Sequence, residues 1–194
     1  VLSASAIDDT IAWHENDGNQ GFTGHAISTG ADGAYHVSAA DVDGDGDLDV
    51  LSASVNDDTI RWHENDGEEG FAAHVITTDA DDPVSLFAAD VDGDGDLDVL
   101  IASANDDTIA WYENDGNQMF TAHTITTDAD GAASVYGADV DRDGDLDVLS
   151  ASANDDTITW YENDGEESFT AHLITADADG ASMVVALDFD SDGD

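Results

Sequence analysis

The run Asp41-Val42-Asp43-Gly44-Asp45-Gly46-Asp47-Leu48-Asp49 decides how the rest of the chain is read. It returns as Asp90 to Asp98 and again as Asp139 to Asp147, where Arg142 replaces the first glycine. A fourth copy, Asp188-Phe189-Asp190-Ser191-Asp192-Gly193-Asp194, reaches only the seventh position. Carboxylates this dense repel one another unless a cation sits among them. Side-chain oxygens at positions 1, 3 and 5, a backbone carbonyl at 7 and a carboxylate at 9 can surround Ca²⁺ at ~2.4 Å, and glycine at position 6 permits the sharp turn. Mg²⁺, which keeps a compact octahedron with several waters, suits so many protein oxygens less well.

The side-chain ligands expected in the first loop are Asp41, Asp43, Asp45 and Asp49, with Asp47 donating its carbonyl and turning its side chain to solvent. In the second loop they are Asp90, Asp92, Asp94 and Asp98, with Asp96 as carbonyl donor; in the third, Asp139, Asp141, Asp143 and Asp147, with Asp145. The fourth offers Asp188, Asp190, Asp192 and Asp194 but no position 9, so its site is expected to be weak or empty. An EF-hand would need Glu at position 12 between amphipathic helices; Ser52, Ile101 and Ser150 stand there, inside alternating β runs.

Outward from the loops, the chain repeats every 49 residues, with copies starting at Val1, Val50, Val99 and Val148. The repeats are thus 1–49, 50–98, 99–147 and a shorter 148–194, within a single domain. Trp13, Trp62, Trp111 and Trp160 keep the phase, as do Phe22, Phe71, Phe120 and Phe169, and His25, His74, His123 and His172. Each copy offers four short β-prone runs, in the second Val50 to Val55, Thr59 to Asn65, Phe71 to Thr78 and Val84 to Val91. Turn residues such as Asn56-Asp57-Asp58 and Asn65-Asp66-Gly67 separate them. Four-stranded units of this length point to an all-β propeller of antiparallel blades, stacked so that each buries the apolar face of its neighbour. The periodic tryptophans are expected in that core, and the histidines are expected as core or edge groups, since zinc would need converging partners.

The copies of Asp-Val-Asp-Gly-Asp-Gly-Asp-Leu-Asp-Val-Leu, with Asn-Asp-Asp-Thr-Ile, Trp-Tyr-Glu-Asn-Asp-Gly and His-Thr-Ile-Thr-Thr, resemble FG-GAP or VCBS-type repeats along the whole chain. Those repeats are similar to the blades of the integrin α-subunit propeller. The resemblance implies that the calcium loop joins the innermost strand of a blade to the next, making Val84 to Ala89 an inner strand and Val99 to Ala104 its neighbour. It implies calcium ligands at the aspartates named above. Four copies leave three arrangements open: a segment of a larger propeller, a closed four-bladed ring, or a ring shared by two self-associating chains.

Composition narrows the partners. There are 47 Asp and Glu against 2 basic residues, Arg61 and Arg142, for a formal net charge of -45. Nucleic acid and anionic membranes are poor partners for such a surface. No apolar run approaches the length of a membrane span, and Val1 opens into a strand-like run with no basic start, so any export signal is expected to have been removed. Fewer than half of the acidic residues lie in the loops, so bound calcium leaves most of the charge to be screened by salt. An extracellular or cell-surface protein of a high-salt environment is the expectation. Zero cysteines exclude a disulfide framework.

The expected function is a calcium-stabilised binding or adhesion module for protein or carbohydrate. Positions that break the repeat, His36, Ser85, Ser134 and Met183, and Ser38, Phe87, Tyr136 and Val185, are candidates for specificity. Catalysis is not expected: Glu15, Glu64, Glu113 and Glu162 recur in equivalent surroundings, which suits a structural hydrogen bond at a turn better than one asymmetric active site. The alternatives are the propeller part of a secreted lyase or hydrolase, and a structural spacer.

Overall fold

Among the described residues, alternation of apolar and small polar residues between Gly- and Asp-rich turns produces only strands. The structure, a computed structural model, describes residues 1–188. Its first sheet holds β1 (Leu2–Ser5), β2 (Thr10–Asn16) and β3 (Phe22–Ser28); the second holds β4 (Ala34–Ala40), β5 (Asp49–Ser54), β6 (Thr59–Asn65) and β7 (Phe71–Thr77). The third is β8 (Pro83–Ala89), β9 (Asp98–Ser103), β10 (Thr108–Asn114) and β11 (Phe120–Thr126), and the fourth β12 (Ala132–Ala138), β13 (Asp147–Ser152), β14 (Thr157–Asn163) and β15 (Phe169–Thr175). Neighbours within every sheet are antiparallel, as in Leu51↔Trp62 and Trp62↔His74. Each full sheet therefore takes its first strand from the end of one repeat and the other three from the next, with the aspartate loop between.

The sheets stack in chain order through their first strands, β4 against β1 and β8, and β8 against β12. Among the described residues they do not close into a ring, so the four-bladed ring is not the arrangement found. Residues 181–187 match β4, β8 and β12 by period but form no strand; Val184 N–H donates to Ser134 Oγ at 3.3 Å, which holds the run against β12.

Burial explains the sequence of each element. Strands β5, β9 and β13 are buried along their whole length, which is why they read Val-Leu-Ser-Ala and Val-Leu-Ile-Ala without polar alternation. Between sheets two and three, Trp62, Leu51 and Ile60 pack with Leu86, Val99 and Ile101. Trp111 does the same one sheet on, with Leu100, Ile109 and Val148. Losing either indole to Ala is expected to cost ~3–5 kcal/mol. Trp13 and Trp160 are only partly buried and Phe22 is exposed, so the core expected from the aromatics is fullest between the middle sheets.

Polar bonds tie the stack as well. At one register of the inner strands, Leu86 N–H donates to His36 Nδ1 (2.9 Å) and Val135 N–H to Ser85 Oγ (3.3 Å), each reaching from one sheet to the next. Two residues along, the rings of Phe87 and Tyr136 meet at 4.7 Å. His36, Ser85, Phe87, Tyr136 and Ser134 thus make contacts between sheets.

Candidate metal centre

The loops after β4, β8 and β12 lie at one end of the stack, each built from its own aspartates. In the first, Asp45 N–H donates to Asp43 Oδ1, Asp47 N–H to Asp45 Oδ1, and Gly46 N–H closes the curl onto Asp41 Oδ2 at 3.1 Å. Gly44 and Gly46 take φ of 72° and 97°, where a side chain would be strained. The result brings one carboxylate oxygen each from Asp41, Asp43 and Asp45 within 4.8 Å of one another. Asp90, Asp92 and Asp94 converge in the same way, and so do Asp139, Asp141 and Asp147.

Position 9 is the anchor. Asp49 is fully buried, and its carboxylate accepts Val42 N–H (3.0 Å) and Asn65 N–H (2.8 Å), fixing the loop to β6. Asp98 and Asp147 repeat the pattern with Val91 and Asn114, and with Val140 and Asn163. Burial pushes the Asp98 carboxyl up to about 7 against the pull of those two N–H groups, with Asp92 and Asp94 adding to the rise. Burial likewise raises Asp43 and Asp92, with neighbouring carboxylates contributing. Every one of these shifts would be offset by a positive charge in the loop.

The residues fit a hard cation. The donors are all oxygen, they converge, and Asp41 Oδ1 is buried with no hydrogen-bond partner. Asp143 falls outside the third cluster, whose third member is Asp147. The side chains of Asp47, Asp96 and Asp145 lie over the Asn-Asp-Gly turns of their own sheets, the Asp47 carboxylate occupying the space a Cβ on Gly67 would need. Asp188 is described, whereas Asp190, Asp192 and Asp194 lie outside the described residues.

Sequence reasoning missed two sets of residues. Asn114 and Asn163, buried at the ends of β10 and β14, donate through Nδ2 both to their own loop and to the loop of the preceding sheet. The recurring Asn-Asp-Gly signal marked the turn but not its partner. Each recurring His stacks on the Trp of its sheet at 4.3 to 4.7 Å and meets a Glu: His74 Nε2 lies 2.8 Å from Glu64 Oε2, and His172 2.6 Å from Glu162. Glu64 thus makes the structural bond expected of it, although across two strands and not at a turn.

A stack of antiparallel sheets, of which the three four-stranded ones each carry an aspartate loop between first and second strands, defines a propeller-type repeat protein. The chain belongs to the FG-GAP-like repeat family, which it matches over residues 1–52, 41–101, 90–150 and 139–194. No curated protein matches it. Among solved structures it is similar to an Agrocybe aegerita lectin described as recognising non-reducing terminal N-acetylglucosamine, at 19% identity and a TM-score of 0.59 over 92% of this chain and 53% of that one. It is also similar to the V. cholerae biofilm matrix protein Bap1, at 18% identity and a TM-score of 0.42, over 94% of this chain and 40% of that one. The chain therefore spans about half the length, or less, of these structures.

Proposed function

We propose that the chain is a calcium-stabilised extracellular binding module that recognises a carbohydrate or protein partner and performs no catalysis of its own. The observation that carries this reading is the recurrence of one all-oxygen aspartate cluster in three consecutive sheets, at the same end of the stack. Ca²⁺ would be held by Asp41, Asp43 and Asp45 with Asp49 behind them, and by their equivalents. It would neutralise carboxylates that otherwise repel and would stiffen the rim of loops.

The lectin's fold supports a binding role by likeness of architecture. A sugar site built on exposed tryptophans is disfavoured, because Trp62 and Trp111 are buried. The loop end is the better surface: a cleft of about 350 Å³ opens between Asp43 and Asp45 of one loop and Asn117 and Gln118 of the next sheet's turn. The His–Glu pairs recur in all four sheets, which favours a structural role over an active site. The charge of -45 supports a high-salt habitat. Binding to a glycan panel and to candidate surface proteins, measured with calcium and with chelator, tests the reading. Calcium-dependent capture supports it; absence of any ligand in either state favours the spacer.

A further inference from the structure

The three aspartate loops recur at 49-residue intervals in the sequence, and one line of hydrogen bonds joins them. In the first loop Asp49 Oδ2 accepts Val42 N–H at 3.0 Å. The carbonyl of Val42 accepts Asn114 Nδ2 at 3.2 Å from the third sheet. The backbone N–H of Asn114 donates to Asp98 Oδ1 at 2.8 Å, and Asp98 Oδ2 accepts Val91 N–H at 2.8 Å, so the line has entered the second loop. Val91 carbonyl accepts Asn163 Nδ2 at 3.1 Å, Asn163 N–H donates to Asp147 Oδ1 at 2.8 Å, and Asp147 Oδ2 accepts Val140 N–H at 2.9 Å in the third.

All the interior members of this line are buried. Asp49, Asp98 and Asp147 are 0% exposed, Asn114 3% and Asn163 2%, and Val42 and Val91 3% each. In such surroundings a broken bond is not replaced by water, so the groups keep or lose their partners together. Asn65, at the equivalent place in the second sheet, shows the contrast: its Nδ2 reaches only Leu48 O of its own loop, at 3.1 Å, and the residue is not buried.

We propose that the three loops bind their cations cooperatively, with Asn114 and Asn163 as the positioning residues that carry order from one loop to the next. The proposal rests on the calcium reading above. The first ion fixes Asp49 and, through it, both polar groups of Val42. That fixes the amide of Asn114, whose backbone N–H already orients Asp98, so the second loop needs less ordering before it accepts an ion. The coupling is reciprocal, so a defect in loop three weakens loop one.

Calorimetric titration of the chelator-stripped chain with CaCl₂ tests this, using the unaltered chain, Asn114→Ala, Asn163→Ala, the double variant and Asn65→Ala. A Hill coefficient of about 2 is expected for the unaltered chain and for Asn65→Ala, falling to about 1 in the double variant. Asp147→Asn is expected to weaken the remaining sites by roughly 10-fold. Should the alanine variants misfold, side-chain amide NMR of the unaltered chain at one equivalent of calcium answers the same question. Coupled loops give two sets of Asn114 and Asn163 signals, from empty and filled molecules, while independent loops give a mixture of partly filled states. Calcium binding with a Hill coefficient of 1 in every form overturns the coupling and leaves the calcium reading standing. No binding at all overturns both.

Discussion

His63 Nε2 lies 3.0 Å from Ser52 Oγ between β6 and β5, with both side chains buried in the second sheet. Burial, with the nearby charges of Arg61 and His74, pushes this imidazole down to about 4. The unfolded chain takes up the proton near 6.5, so the folded state binds fewer protons between those values. Stability from a neutral His63 is complete above about pH 6.5 and is lost as pH falls toward 4, by up to about 3 kcal/mol. In the fourth sheet Tyr161 makes the equivalent bond to Ser150 at 3.3 Å without an imidazole. His63→Tyr is therefore expected to flatten the loss between pH 6.5 and 4 in urea denaturation. An unchanged pH profile would show that His63 is not the acid-labile group.

Asp82 sits at φ 57° where Gly33, Gly131 and Gly180 stand in the other repeats, at 65° to 70°. Its N–H bond to Asp58 Oδ1 matches the one Gly131 makes to Asp107, so the backbone geometry does not depend on the side chain. Burial raises the pKa of the carboxylate, and the like charges of Asp81 and Asp58 add to the rise. Asp82→Gly should stabilise the chain by roughly 1 kcal/mol, read as a higher urea midpoint at unchanged slope.

Gly67 and Gly18 hold the same turn position at φ 71° and 74°, but only Gly67 faces a carboxylate, that of Asp47. Ala at either site pays the left-handed backbone penalty of about 1 kcal/mol. Gly67→Ala must also displace Asp47, so it is expected to destabilise more than Gly18→Ala and to weaken calcium binding by the first loop. Equal melting-temperature losses for the two variants would show that the Asp47 contact contributes nothing.

Calcium at 100 times its dissociation constant should stabilise the folded chain by about 2.7 kcal/mol for each loop filled, and chelator should reverse it. Scanning calorimetry with calcium and with chelator measures this directly. Melting that ignores both would remove calcium from the account.

Salt acts on the charge that calcium leaves behind. At saturating calcium, the urea midpoint should still rise as NaCl goes from 0.1 M toward molar concentrations, because the Debye length shrinks from about 10 to 3 Å. A midpoint that stays flat or falls would mean an acidic surface that needs no unusual screening.

The strands were legible because the turns are: Asn65-Asp66-Gly67 ends β6 where expected, and β7 and β8 stop within two residues of their expected ends. The loops were legible because ligand spacing is local, so Asp41, Asp43 and Asp45 converge within five residues of chain. What could not be read were bonds between sheets. Asn114 reaches Val42 across 72 residues and Leu86 reaches His36 across 50, separations fixed by how the sheets stack. The Glu64–His74 pair is a diagonal contact across the β6–β7 register, with Glu64 opposite Ala72 and His74 opposite Trp62, and the alternation of the sequence does not single it out.

The joints at the inner strands share one geometry but not one acceptor. Ser85 and Ser134 offer hydroxyl oxygens, which accept an N–H at any ordinary pH. His36 offers a ring nitrogen, which on protonation becomes a donor aimed at the donor of Leu86. Burial keeps that protonation below the usual imidazole range. The seam between the second and third sheets is accordingly the one whose grip answers to acidity, a fuse placed in the middle of an otherwise uniform ladder.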